Sequence, residues 1–117
     1  MPPPLDDAQS LLDIHLRCEH IAQLVAEFEP GLLVTSWRVR ALFEYELIIL
    51  GESVKRLSPQ FRETHPDIRW AAIAGLRDVL VHRYDRVDAA QVWGIASESV
   101  PQLLGYIEPM VPRQDND

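Results

Sequence analysis

A chain of 117 residues, 47% of them apolar, has the size and composition of one folded domain and excludes a disordered or fibrous protein. No apolar run approaches the roughly 20 residues that span a bilayer, and Met1-Pro2-Pro3-Pro4 has neither the basic start nor the apolar stretch of a secretory signal, so a soluble cytoplasmic protein is expected. The formal charge of -7 argues against a nonspecific coat on nucleic acid, and the lone Cys18 excludes an internal disulfide.

Residues 1–5 and 112–117 are rich in proline and polar residues without periodicity, and both ends are expected to fray. Between Asp7 and Glu29, Leu11, Ile14, Cys18, Ile21, Val25 and Phe28 alternate at spacings of three and four and draw one stripe on a helix. Pro30-Gly31 stops it. A second helix is predicted from Thr35 or Ser36 to about Leu57, with Val39, Leu42, Glu46, Ile49 and Leu57 at helical spacing and further apolar residues beside them. Ser58-Pro59 ends it, Gln60 to Pro66 reads as a polar loop, and a third helix is predicted around Ile68 to Leu80. The last helix starts at Asp88, where the aspartate and Gln91 three residues on can each satisfy a free backbone N–H, and runs to about Ile107. Pro101 removes a backbone donor inside that span and predicts a kink or break. No segment alternates with period two and no repeat occurs. The expectation is therefore an all-α, up-down bundle of four to five helices forming one domain over 1–117. So short a chain leaves much of its surface in water, which favours a homodimer.

Two groups of titratable residues have bland explanations. His15 and His20 lie about 140° apart on a helix and Cys18 sits on the apolar stripe, a poor arrangement for a metal. Glu44, Glu46 and Glu52 lack a Glu-x-x-His partner and read as a solvated face or as partners for arginine, of which the chain has ten against one lysine. No Gly-rich phosphate loop and no nucleophile elbow is present, and no cofactor is implied.

The stretch Arg77-Asp78-Val79-Leu80-Val81-His82-Arg83-Tyr84-Asp85 is different, because it concentrates Arg, His and Tyr where a helix gives way to a loop. An arginine there grips phosphate in a bidentate way, and an imidazole, whose ordinary pKa is about 6.5, moves a proton at neutral pH. RNA carries its own nucleophile in the 2'-hydroxyl, so a group that deprotonates it and one that stabilises charge on phosphorus suffice without a metal. The same residues are compatible with mere capping and ion pairing to Asp78 and Asp85. At five residues' separation Arg77 and His82 stand about 140° apart if the helix continues, so they converge on one phosphate only if the helix ends between them or two copies face each other.

Together with Ile48-Ile49-Leu50-Gly51-Glu52-Ser53-Val54-Lys55-Arg56-Leu57-Ser58-Pro59, Phe61-Arg62-Glu63-Thr64-His65-Pro66 and Trp70 to Tyr84, this motif makes nearly the whole chain resemble the HepT-like branch of the HEPN helical ribonuclease superfamily. The resemblance implies an all-α homodimer in which the Arg-x4-6-His motifs of both subunits line one cleft and cut RNA without metal. It also implies a toxin paired with an MNT-type nucleotidyltransferase antitoxin. Carried over, Arg77 and His82 are catalytic, Asp78 is the polar residue after the arginine, and Tyr84 of Arg-x4-His-x-Tyr is the tyrosine that accepts AMP and silences the enzyme. Asp78 stands where the family often has Asn, adding a negative charge, and Arg83 stands where glycine is common and is expected to offset it. The competing reading is a non-catalytic helical module that binds a nucleotidyltransferase through a surface shaped by Arg77 and His82.

Overall fold

The computed structural model describes residues 5–83 and 87–112, and among them every regular element is helical. The order is α1 (Leu5–Glu27), α2 (Leu32–Thr35), α3 (Trp37–Lys55), α4 (Pro59–Thr64), α5 (Trp70–His82), α6 (Ala89–Gly94), a π-helical turn (Ile95–Ser99), α7 (Val100–Ile107) and a 3-10 turn (Glu108–Met110). Helix α3 is central: α5 packs along one side and α1 along the other, with α7 against α1. The extents, 46 × 33 × 20 Å, make a slab whose thin dimension holds two helices of about 10 Å diameter.

The stripe read on α1 is the core stripe, since Leu11, Ile14, Cys18 and Ile21 are fully buried. Burial also pushes the Cys18 thiol up to about 12, with the charge of Glu19 adding to it, so the residue acts as a small hydrophobe. On α3 the expected stripe is corrected. Val39, Phe43, Leu47, Leu50 and Val54 face the core, whereas Leu42 is 48% exposed and Ile49 half-buried. Helix α3 is apolar around much of its circumference, so spacing alone did not choose its inner face.

The predicted loop at Gln60 to Pro66 is also corrected, because Pro59–Thr64 forms α4. Proline at the first turn needs no N–H, and Ser58 Oγ caps the helix by accepting from Phe61 N at 3.1 Å. The buried Asp7 fixes this corner from the start of α1: its carboxylate accepts from Ser58 N at 2.8 Å and from Ser58 Oγ at 2.7 Å. Near the C-terminus, the aspartate half of the expected cap is present, Asp88 accepting from Ala90 N. The break expected at Pro101 is a wide turn immediately before it, where Val100 N–H reaches back five residues to Ile95 O.

Candidate active site

Helices α3 and α5 pack against each other beside Arg77, and a glycine allows the close approach. A Cβ on Gly51 would lie 2.3 Å from Arg77 Cβ and 3.3 Å from Ile73 O, so the helices meet closely only because Gly51 has no side chain. Gly51→Ala is expected to force α5 away from α3. Overpacking of about 1–3 kcal/mol outweighs the roughly 1 kcal/mol that alanine gains in a helix, and a urea titration reads the loss as a lower midpoint.

The close approach aims the half-buried Arg77 at the next residue of α3: its Nε lies 2.5 Å from Glu52 Oε1. The alignment is that of an ion pair rather than a hydrogen bond, and Nε has no hydrogen-bond partner. Arg77 Nη1 donates to Asp78 Oδ1 at 3.0 Å, and Lys55 Nζ donates to the same oxygen at 3.0 Å. The hydrogen bonds from Lys55 and then Arg77 hold the Asp78 carboxyl below its ordinary range. Asp78 therefore stays ionised as pH falls toward the usual carboxylate values, and its contacts with both cations persist there. Lys55 and Arg77 take up the charge that Asp78 adds. Arg83, expected to do so, is exposed at the end of α5 and pairs with no acid among the described residues.

Helix α5 runs unbroken through Arg77 to His82, its last residue, where the exposed imidazole sits at the favourable end of the helix dipole. The helix does not end between the two, so within one chain they stand about 140° apart. Tyr84 lies outside the described residues. In the sequence Glu52 stands with Glu44 and Glu46 as part of a solvated face or as a partner for arginine. All three pair with arginine, Glu44 with Arg40, Glu46 with Arg17 and Glu52 with Arg77. Lys55 and Gly51 carry no assigned role in the sequence, where an isolated glycine within a helical pattern is tolerated at a cost of about 1 kcal/mol against alanine.

The other titratable candidates are tied up in packing. His15 bridges Glu19 at 3.2 Å and Glu108 at 3.3 Å, and His20 contacts Glu46 at 3.1 Å. No group of three or more His, Cys, Asp or Glu among the described residues is arranged to hold a metal.

Residues 14–110 match the family model described as Ribonuclease HepT-like. A protein named as a putative RNase in Methanocaldococcus jannaschii is 26% identical over 98 residues, which cover 84% of this chain and 90% of that protein. A second, so named in Caldanaerobacter subterraneus subsp. tengcongensis, is 35% identical over 62% of the chain and 64% of its own length. The "Probable ribonuclease HepT" of Thermococcus cleftensis is 38% identical over 55% of the chain. The match spans 58% of that relative's length. No solved structure matches the chain.

Proposed function

The chain belongs to the HepT-like ribonuclease family, and from that premise we propose that it is a metal-independent endoribonuclease whose Arg77 and His82 act in a cleft shared by two copies. The observation that carries this reading is the continuity of α5. One chain holds Arg77 and His82 on different sides of the helix, so only a second copy supplies the missing group beside each. In the shared cleft Arg77 binds the phosphate and stabilises its growing charge. His82 side chains take the proton from the 2'-hydroxyl and give one to the departing 5'-oxygen. The 2'-oxygen bonds to phosphorus, the bond to the 5'-oxygen breaks, and the products carry a 2',3'-cyclic phosphate and a 5'-hydroxyl. Cleavage of a labelled RNA in EDTA, with the ends identified by mass, tests this. Strict dependence on added magnesium would overturn it.

A surface for the second copy is at hand. Trp37 is 76% exposed and Tyr45 58%, and with Ala41 and Ile48 they form a stripe along α3 that leads at helical spacing to Glu52. Light scattering is expected to show twice the 13.4 kDa chain mass at micromolar concentration. Tyr45→Glu places a carboxylate in that apolar contact and is expected to weaken dimerisation about a hundredfold, some 2.8 kcal/mol, with cleavage falling in parallel. A monomeric wild type that cuts RNA would exclude the shared cleft.

The same reading makes the protein the cytoplasmic toxin of a pair whose antitoxin is an MNT-type nucleotidyltransferase, silenced by AMP on Tyr84; the family resemblance supports this. One observation favours the second reading, a non-catalytic module that binds such a partner: Arg77 is engaged by two carboxylates, Glu52 and Asp78, as a purely structural arginine would be. An incoming phosphate has to take the place of one of them.

A further inference from the structure

We propose that the groove between α4 and the start of α5, lined by Arg62, Arg69 and Trp70, binds a second RNA phosphate, two to four nucleotides from the one at Arg77. The proposal rests on the ribonuclease reading for its substrate and adds a subsite that determines how long an RNA the protein holds.

Charge is the first support. Residues 55–83 contain six of the eleven basic residues but three of the eighteen acidic ones, so a segment at +3 sits in a chain of -7. A polyanion is drawn to that segment and repelled by the rest.

The groove itself, about 440 Å³, lies at the amino end of α5 and has Glu63 as its one acidic lining residue against the two arginines. Arg62 Nε is buried there without a hydrogen-bond partner, and neither Arg62 nor Arg69 makes an ion pair with a described residue. A guanidinium that no carboxylate holds is left to offer its planar fork to a phosphate in the groove.

Position is the third support. Arg69 stands at the N-cap position of α5, eight residues before Arg77 and about 12 Å along the axis, which a strand crosses in two to four nucleotides at roughly 3.4 Å each when stacked and about twice that when extended. Between the two ends, Ala71, Ala74 and Gly75 share the face of α5 that carries Asp78; Arg77 stands about 100° round the helix and reaches that face through the Nη1 that donates to Asp78. No side chain longer than a methyl group stands on that path before Asp78, and Gly75 opens on free space.

Binding of 2'-O-methyl RNA, which lacks the attacking hydroxyl, separates this subsite from catalysis. Fluorescence anisotropy at several salt concentrations is expected to show an RNA of about 12 nucleotides binding more tightly than a trinucleotide. Arg62→Ala and Arg69→Ala each weaken the longer RNA about three- to tenfold and reduce its log–log salt slope by about 0.7, the loss of one phosphate contact, while the trinucleotide is unaffected. Should Arg62→Ala fail to fold, Arg69→Ala decides alone, because Arg69 is exposed. Unchanged affinity and slope in Arg69→Ala, equal loss for both RNAs, or a wild type that gains nothing from length would each overturn the proposal. Arginine-dependent binding by a wild type that never cuts ordinary RNA would instead remove the nuclease reading and leave the groove standing.

Discussion

His82→Ala loses RNA cleavage by a factor of about 10² to 10⁴, the usual contribution of a positioned proton-transfer group, while its thermal unfolding stays that of the wild type. The second half of that expectation follows from the exposure of His82 at the end of α5, where it supports no packing. Arg77→Ala loses a similar factor, about 10² to 10³, but also destabilises the protein, because Glu52 loses its partner and Asp78 keeps only Lys55. Arg77→Lys separates the two effects. A lysine keeps the charge between the carboxylates yet lacks the planar fork that matches two phosphate oxygens, so stability returns and kcat does not. Cleavage surviving in His82→Ala with EDTA present would leave the non-catalytic module as the better reading. Stability and activity returning together in Arg77→Lys would mark Arg77 as a structural cation only.

Helix boundaries in this chain were legible wherever a residue has one physical use. Pro30-Gly31, the Asp88 cap and Pro101 each mark a place where the backbone cannot continue as it was, and the structure interrupts the helices beside all three. The inner face of α3 was not legible in this way. Leu42 and Phe43, or Ile49 and Leu50, offer neighbouring apolar side chains, and only the positions of α1 and α5 decide between them. The segment from Ser58 to Thr64 misled for a related reason. Its polarity suits a loop, but Ser58 bonded to the buried Asp7, fifty-one residues earlier, turns it into a capped helix.

The candidate site reads from the sequence as a list of residues and not as an arrangement. Arg77 and His82 stand out by type and spacing, but spacing alone leaves open whether α5 ends between them, and its continuation to His82 keeps them on different sides of one helix. Glu52 and Lys55 carry ordinary surface identities and reach the site only through the contact at Gly51. The aspartate in place of the family's frequent asparagine was expected to be offset by its sequence neighbour Arg83. It is compensated from α3, twenty-three residues away in sequence, which no local pattern reveals.

Incubation with a cognate MNT-type nucleotidyltransferase, ATP and magnesium is expected to add one or more AMP units to the wild type and to extinguish its cleavage, while Tyr84→Phe gains none and stays active. In each transfer the phenol oxygen bonds to the α-phosphorus of ATP, pyrophosphate leaves, and the phenol proton passes to solvent. The effect on the nuclease is expected to be large because Tyr84 falls two residues after His82 in sequence, just beyond the end of α5. An AMP phosphate there competes for the guanidinium that the RNA phosphate needs, and the adenosine fills space at the mouth of the cleft. Of the remaining tyrosines, Tyr106 is a poor acceptor, since its hydroxyl lies 3.1 Å from His65 Nδ1 and its ring packs edge-on against that histidine. Tyr45 is the real rival, 58% exposed on the α3 stripe that leads to Glu52. Peptide mapping that placed AMP on Tyr45 would sink the Tyr84 assignment and would mean that silencing works by blocking the pairing of two copies. An adduct on Tyr84 that left the dimer intact and cleavage lost would place the switch in the cleft itself.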